Sequence, residues 1–173
     1  GALVMPDGVT VEARMRSYRL SPEQQMRLKR ALVRWFASDC AHEFAQHTFL
    51  RAEVPFMIAL GDGASTVYLE GEIDGLAYDE MGKGAAYLID YKTGGSFEET
   101  PDQLYVKHLM QAQCYACGLL QQGFDAVEAK FVRVEWDDPA LPGQPWIQSY
   151  TFTQKDLSRL KLDILQAYNR SLN

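Results

Sequence analysis

The sequence predicts an α/β fold, a mixed central β-sheet flanked by α-helices. Three observations carry this expectation. Apolar periodicity runs in the order helix, three strands, helix, two strands, helix. The third strand runs into a long helix that is followed by another strand. A right-handed crossover of that kind lays the two strands parallel, while the rest pair antiparallel. Finally, 173 residues of 47% apolar composition can bury one sizeable core. No repeat, low-complexity tract or linker divides them, so residues 1–173 read as one domain.

Residues 1–20 show no clean period and read as a loop or a piece of an element. Ser21-Pro22-Glu23-Gln24 is a helix start: serine caps, proline takes the first helical position, and glutamine closes a capping box. The helix is predicted over 22–46, with Leu28, Leu32, Trp35, Phe36, Cys40 and Phe44 on its apolar stripe. His42 and His47 end it without a partner ligand at helical spacing and read as surface or helix-end residues. Residues 50–60 alternate as a strand, with Ala52, Val54, Phe56 and Ile58 on one face; Pro55 places it at an edge or a bulge. A turn over 61–65 precedes strands at 66–78 and 85–92.

A loop from Gly94 to Pro101 carries Glu98 and Glu99, read as solvated. The second long helix is predicted over 102–122 and ended by Gly123. His108, Gln111 and Tyr115 share one of its faces, and that polar set is open to two readings, a functional face or an exposed one. Strands follow at 127–136 and 146–152 around a turn at 137–143. Thr153, with Asp156 as capping partner, opens a last helix whose stripe is Leu157, Leu160, Ile164, Leu165 and Tyr168.

The chemistry concentrates in residues 71–93. Two short apolar runs flank the turn Met81-Gly82-Lys83-Gly84, as in a β-hairpin or adjacent strands. Asp74 lies on one strand, Asp90 and Lys92 on the next. Alternation points Asp90 and Lys92 the same way and Tyr91 the other way, into apolar packing. A register that sets Asp74 beside Asp90 gathers two carboxylates and one ammonium on one face. Paired hard oxygen ligands suit Mg²⁺ or Mn²⁺. A lysine beside them can orient or deprotonate an attacking water, or stabilise charge on a phosphate.

The net charge of −6 argues against a general nucleic-acid coat protein. Its distribution is uneven: residues 11–34 carry a balance of +5, leaving −11 for the remainder. A basic leading segment can hold phosphates and an acidic remainder can hold metal, although a solvated helix face has the same letters. No apolar run of about 18 residues crosses a membrane. No signal peptide is visible, and three cysteines suit a reducing, cytoplasmic compartment. Cys114 and Cys117 lie inside a helix with only Cys40 as a third thiol, short of the four that an iron–sulfur cluster usually needs.

Glu53-Val54-Pro55-Phe56, Gly71-Glu72-Ile73-Asp74, Leu88-Ile89-Asp90-Tyr91-Lys92-Thr93-Gly94 and Gln111-Ala112-Gln113-Cys114-Tyr115 together resemble the PD-(D/E)XK nuclease superfamily. The order and the elements on which they fall are most similar to its RecB/AddA exonuclease branch. The resemblance covers roughly residues 30–122. It implies a restriction-endonuclease-like fold and Mg²⁺-dependent (or Mn²⁺-dependent) hydrolysis of DNA, in the manner of exonuclease V. The single strand would be delivered by a helicase module of the same chain within a complex with a partner subunit, in double-strand break repair and recombination.

By position, the resemblance implies metal ligation by Asp74, Asp90 and the Tyr91 carbonyl, and water or phosphate handling by Lys92. Gln111 and Tyr115 would hold or brace the substrate, and Glu53 would be a supporting acid. Family members bring a further histidine to the metal from an upstream helix, which this chain starts too late to contain; His42 and His47 lie too close to Glu53 to replace it. The expectation is therefore a C-terminal piece of a helicase-nuclease with weak activity alone. The alternative is a weakly active or inactive nuclease-fold domain used for DNA or protein docking.

Overall fold

In the computed structural model, which describes residues 3–61, 63, 66–94 and 98–172, the mixed sheet is present. Five strands lie in sequence order: β1 Phe49–Leu60, β2 Val67–Glu80, β3 Lys83–Lys92, β4 Ala126–Asp138 and β5 Leu141–Thr153. β3 and β4 are parallel and the other neighbours antiparallel, as the crossover rule requires. Pro55 sits on β1, which is an edge strand, so its missing N–H costs the ladder little. Parts of the predicted turn at 61–65 (62, 64 and 65) and of the loop after β3 (95–97) lie outside the described residues, as do residues 1–2 of the leading segment.

Helices cover both faces. α4 (Pro101–Gln121) and α5 (Leu157–Ser171) enclose the larger core, into which Ile73, Ala86, Leu88, Ala129 and Phe131 point from the sheet. α2 (Pro22–Phe36) and α3 (Asp39–Phe44) cover the other face, meeting Ala77, Ile89, Val132 and Val134. The period-two alternation of β3 is thereby explicit: Ala86 and Leu88 face α4, Ile89 faces α2, and Asp90 comes next on the α4 side.

Several boundaries differ from the sequence expectation. The leading segment contains α1, Gly8–Ser17, capped by Asp7, whose carboxylate accepts from Thr10 N at 2.9 Å. The single helix predicted over 22–46 is two. α2 stops at Ala37, and the buried Ser38 accepts from Ala41 N at 3.2 Å to start α3. A serine cap outranks continuity of the apolar stripe. Ala31 and Trp35 are its buried positions, while Leu28 is 38% exposed. β5 begins at Leu141, five residues early, because the hairpin from β4 turns on Pro139 and Ala140 alone. After Thr153 the chain makes one 3₁₀ turn, Gln154–Asp156, before α5, with Asp156 accepting from Thr153 N at 2.9 Å. No helix among the described residues is long and apolar enough to cross a membrane.

One aromatic ring ties the sheet to α4. Phe56 stands opposite Gly71 in the β1–β2 ladder, and a Cβ on Gly71 would lie 2.7 Å from that ring. From the helix side, a Cβ on Gly118 would lie 2.9 Å from the same ring and 3.2 Å from Ile58 Cγ2. The two glycines admit Phe56, which then packs edge-on to Tyr115 at 5.3 Å between centroids. Gly118→Val should overpack this contact by about 1–3 kcal/mol, lowering Tm by roughly 3–10 °C in a thermal melt followed by circular dichroism. An unchanged Tm would show that the ring has room to move.

Candidate active site

The site lies where the ends of β2 and β3 meet the middle of α4. The β2–β3 ladder pairs Gly75 with Ile89, and one step further stand Asp74 and Asp90. Asp74 is half-buried and its Oδ2 accepts from Tyr91 N at 2.7 Å. This bond fastens the Asp74 carboxylate to β3. The Tyr91 side chain turns to the opposite face, edge-on to Trp35 at 5.2 Å, as alternation requires.

Asp90 is 3% exposed. Its Oδ2 accepts from Gln111 Nε2 at 2.8 Å and from the Tyr115 hydroxyl at 2.8 Å. Gln111 and Tyr115 are one helical turn apart and bonded to each other at 2.6 Å, so α4 presents them as a unit. Burial first, then the Asp90 carboxylate, raises the Tyr115 phenol above its ordinary value and keeps it a donor. Lys92 shares the face of Asp90. Its Nζ lies 2.5 Å from Asp90 Oδ1, donates to Gln111 Oε1 at 2.9 Å, and stands 5.1 Å from the centre of the Phe131 ring.

Asp90 Oδ1 is buried and makes no hydrogen bond, because the approach of Lys92 to it is that of an ion pair rather than of an aligned donor. A buried carboxylate oxygen with unused lone pairs and a second carboxylate on the neighbouring strand are hard oxygen donors. Such a set fits a small divalent cation that keeps several waters. Among the described residues no group of three or more His, Cys, Asp or Glu side chains is gathered as a complete cage.

Glu53 lies on an exposed stretch of β1, between Ala52 and Val54, which pair with Gly75 and Ile73 of β2, and has a φ of 52°. The left-handed backbone interrupts the alternation of β1 at that point, which the letters alone did not signal. His47 belongs elsewhere: its ring stacks on Tyr87 at 4.1 Å and Nδ1 lies 3.2 Å from Asp79, while His42 is exposed on α3. The three cysteines are free thiols.

Two features went unread in the sequence. Glu99, expected to be solvated, pairs with Lys107 at 2.6 Å and with the buried Arg133 at 3.1 Å. Arg133 lies beside Lys92 in the β3–β4 ladder, so Glu99 and its two cations border the site. Gly94, which follows the Asp-Tyr-Lys-Thr run, is held from β4: Gly94 N donates to Glu135 at 3.0 Å, and Trp136 Nε1 donates to Gly94 O at 2.7 Å. Glu135 also binds Arg27 of α2 at 2.7 Å, and that contact holds its carboxyl below the ordinary range. Neither feature has a sequence signal, since each depends on a contact between residues more than thirty positions apart.

A comparison with curated proteins finds no match. Among solved structures, the chain is similar to the crystal structure of SSO0001, with 16% identity, a TM-score of 0.40, and coverage of 92% of this chain and 69% of that one. It is also similar to Candida albicans Rai1 in complex with pU5-Mn²⁺, with 17% identity, a TM-score of 0.32, and coverage of 86% and 40%. The sequence model of the PD-(D/E)XK nuclease superfamily matches residues 6–173, nearly the whole chain. The protein belongs to the PD-(D/E)XK nuclease superfamily.

Proposed function

We propose that the protein is a divalent-metal-dependent deoxyribonuclease domain that hydrolyses phosphodiester bonds of single-stranded DNA. The observation that carries this reading is the state of Asp90: buried, one oxygen held by Gln111 and Tyr115, the other without a hydrogen bond and beside the Lys92 ammonium. A carboxylate so enclosed costs free energy unless a cation shares it, and the Asp74 carboxylate on the next strand raises that need. Superfamily nucleases generally use divalent metals, and Mg²⁺ or Mn²⁺ suits these oxygen donors.

In this reading Asp74, Asp90 and the Tyr91 carbonyl hold the metal, which when bound would supply Lewis acidity to the phosphodiester. Lys92 Nζ donates to Gln111 Oε1 and is held by the ion pair with Asp90, and its remaining N–H groups can meet the attacking water or the scissile phosphate. Tyr115 and Gln111 fix the Asp90 carboxylate so that the charge near the phosphate needs no rearrangement during the reaction. Glu53, on β1 next to β2, is the supporting acid. No base-reading element is evident, so recognition runs through the backbone of the strand.

The motif order favours exonuclease V chemistry of the RecB/AddA type, in which a helicase module of the same polypeptide and a partner subunit feed a single strand to the site during cytoplasmic DNA break repair. The test is degradation of end-labelled single-stranded and duplex DNA with Mg²⁺, Mn²⁺ or EDTA, by this chain and by one extended upstream. Metal-dependent loss of single-stranded substrate, stronger in the extended protein, is the expected result. Equal activity in the two would remove the helicase-linked reading. Binding of DNA without cleavage in either would favour docking.

A further inference from the structure

The polar face of α4 holds a third group that the proposed chemistry does not use. His108 precedes Gln111 by three residues and Tyr115 by seven, on the side of the helix turned to the β3–β4 end of the sheet. Its ring lies nearly parallel to that of Phe131, 5.1 Å between centroids at an interplanar angle of 16°. Lys92 Nζ stands 5.1 Å from the centre of the same ring. The ammonium and the imidazole thus share one aromatic support. His108 is half-buried, so part of its ring reaches solvent.

Resting on the nuclease reading, we propose that His108 is a further catalytic residue, donating a ring N–H to a non-bridging oxygen of the scissile phosphate beside Lys92. The stacking on Phe131 fixes the plane of the ring. The charged groups around it are Lys92 and Asp90 on β3, Glu99 before α4 and Lys107 on α4; Phe131 is the aromatic contact from β4. Burial first, then Lys92 and Lys107, holds the imidazole below its ordinary pKa against the opposite pull of Asp90 and Glu99. A neutral imidazole keeps one N–H donor and one acceptor nitrogen. It is suited to bind a phosphate oxygen, and poorly suited to deliver a proton to a leaving group.

The experiment uses His108→Phe, which keeps an aromatic ring on Phe131 and removes the donor, and His108→Asn, which restores a neutral donor on a shorter arm. Steady-state cleavage of a labelled single strand with Mn²⁺ should show kcat/KM falling by roughly 10- to 100-fold in H108F, the size of one hydrogen bond to a charged group. H108N should recover most of that loss. Both variants should melt like the wild type. The affinity of H108F for a fluorescein-labelled oligonucleotide in EDTA should fall several-fold, which a merely structural ring would not cause. H108F cleaving at the wild-type rate, or H108N as slow as H108F, overturns the role of His108 while the nuclease reading stands. A wild-type protein that does not cleave overturns both.

Discussion

Lys92→Ala will lower phosphodiester cleavage by roughly 10²- to 10⁴-fold, the usual span for losing a positioned proton-handling or charge-stabilising side chain. Three contacts make Lys92 specific: the ion pair to Asp90 Oδ1, the hydrogen bond to Gln111 Oε1 and the ring of Phe131 beneath it. Alanine removes all three, yet the fold should survive. The lysine side chain is 26% exposed but that of Asp90 only 4%, so the variant leaves a buried charge that keeps only its Gln111 and Tyr115 donors, and the destabilisation should be about 3 kcal/mol. Single-turnover cleavage, a thermal melt and oligonucleotide binding in EDTA separate the three quantities. Cleavage that persists in the variant would leave the Asp-Tyr-Lys run as fold architecture and favour a docking domain.

Asp90→Asn should be the most damaging substitution of similar shape. The amide has one acceptor and one donor end, whereas Asp90 faces donors on both sides: Gln111 Nε2 and the Tyr115 hydroxyl at one oxygen, the Lys92 ammonium at the other. Either orientation of the amide sets an NH₂ against a donor. The expected cost is about 1–3 kcal/mol of stability, together with loss of metal-dependent cleavage. Combining it with Lys92→Met should cost less than the sum of the two, by about 0.5–3 kcal/mol, because both act on one contact. A strictly additive double variant in urea melts would show that the two side chains are energetically independent.

The legible part of this protein was the part governed by period and local order. Alternation along β3 set Asp90 and Lys92 on one face and Tyr91 on the other. The helix between β3 and β4 required their parallel pairing, and Pro55 marked an edge strand. Gln111 and Tyr115 were legible as neighbours because helical spacing puts them one turn apart. What escaped depended on competition or on long-range contact. The break at Ala37–Ser38 was hidden because apolar spacing continues through it, and only a serine cap ends the run. Glu99 looked like a solvated loop acid, since its partners Lys107 and Arg133 come from a helix and a strand beyond it. The left-handed backbone of Glu53 and the stacking of His108 on Phe131 have no counterpart in residue type.

The central claim is that Asp74 and Asp90 hold a divalent ion next to Lys92. Anomalous scattering from a crystal soaked in Mn²⁺ measures this directly. The account predicts a peak within bonding distance of both carboxylates and of the Tyr91 carbonyl, absent from an Asp90→Asn crystal treated the same way. A peak bound elsewhere, or none at all in a protein that still cleaves DNA, would contradict it.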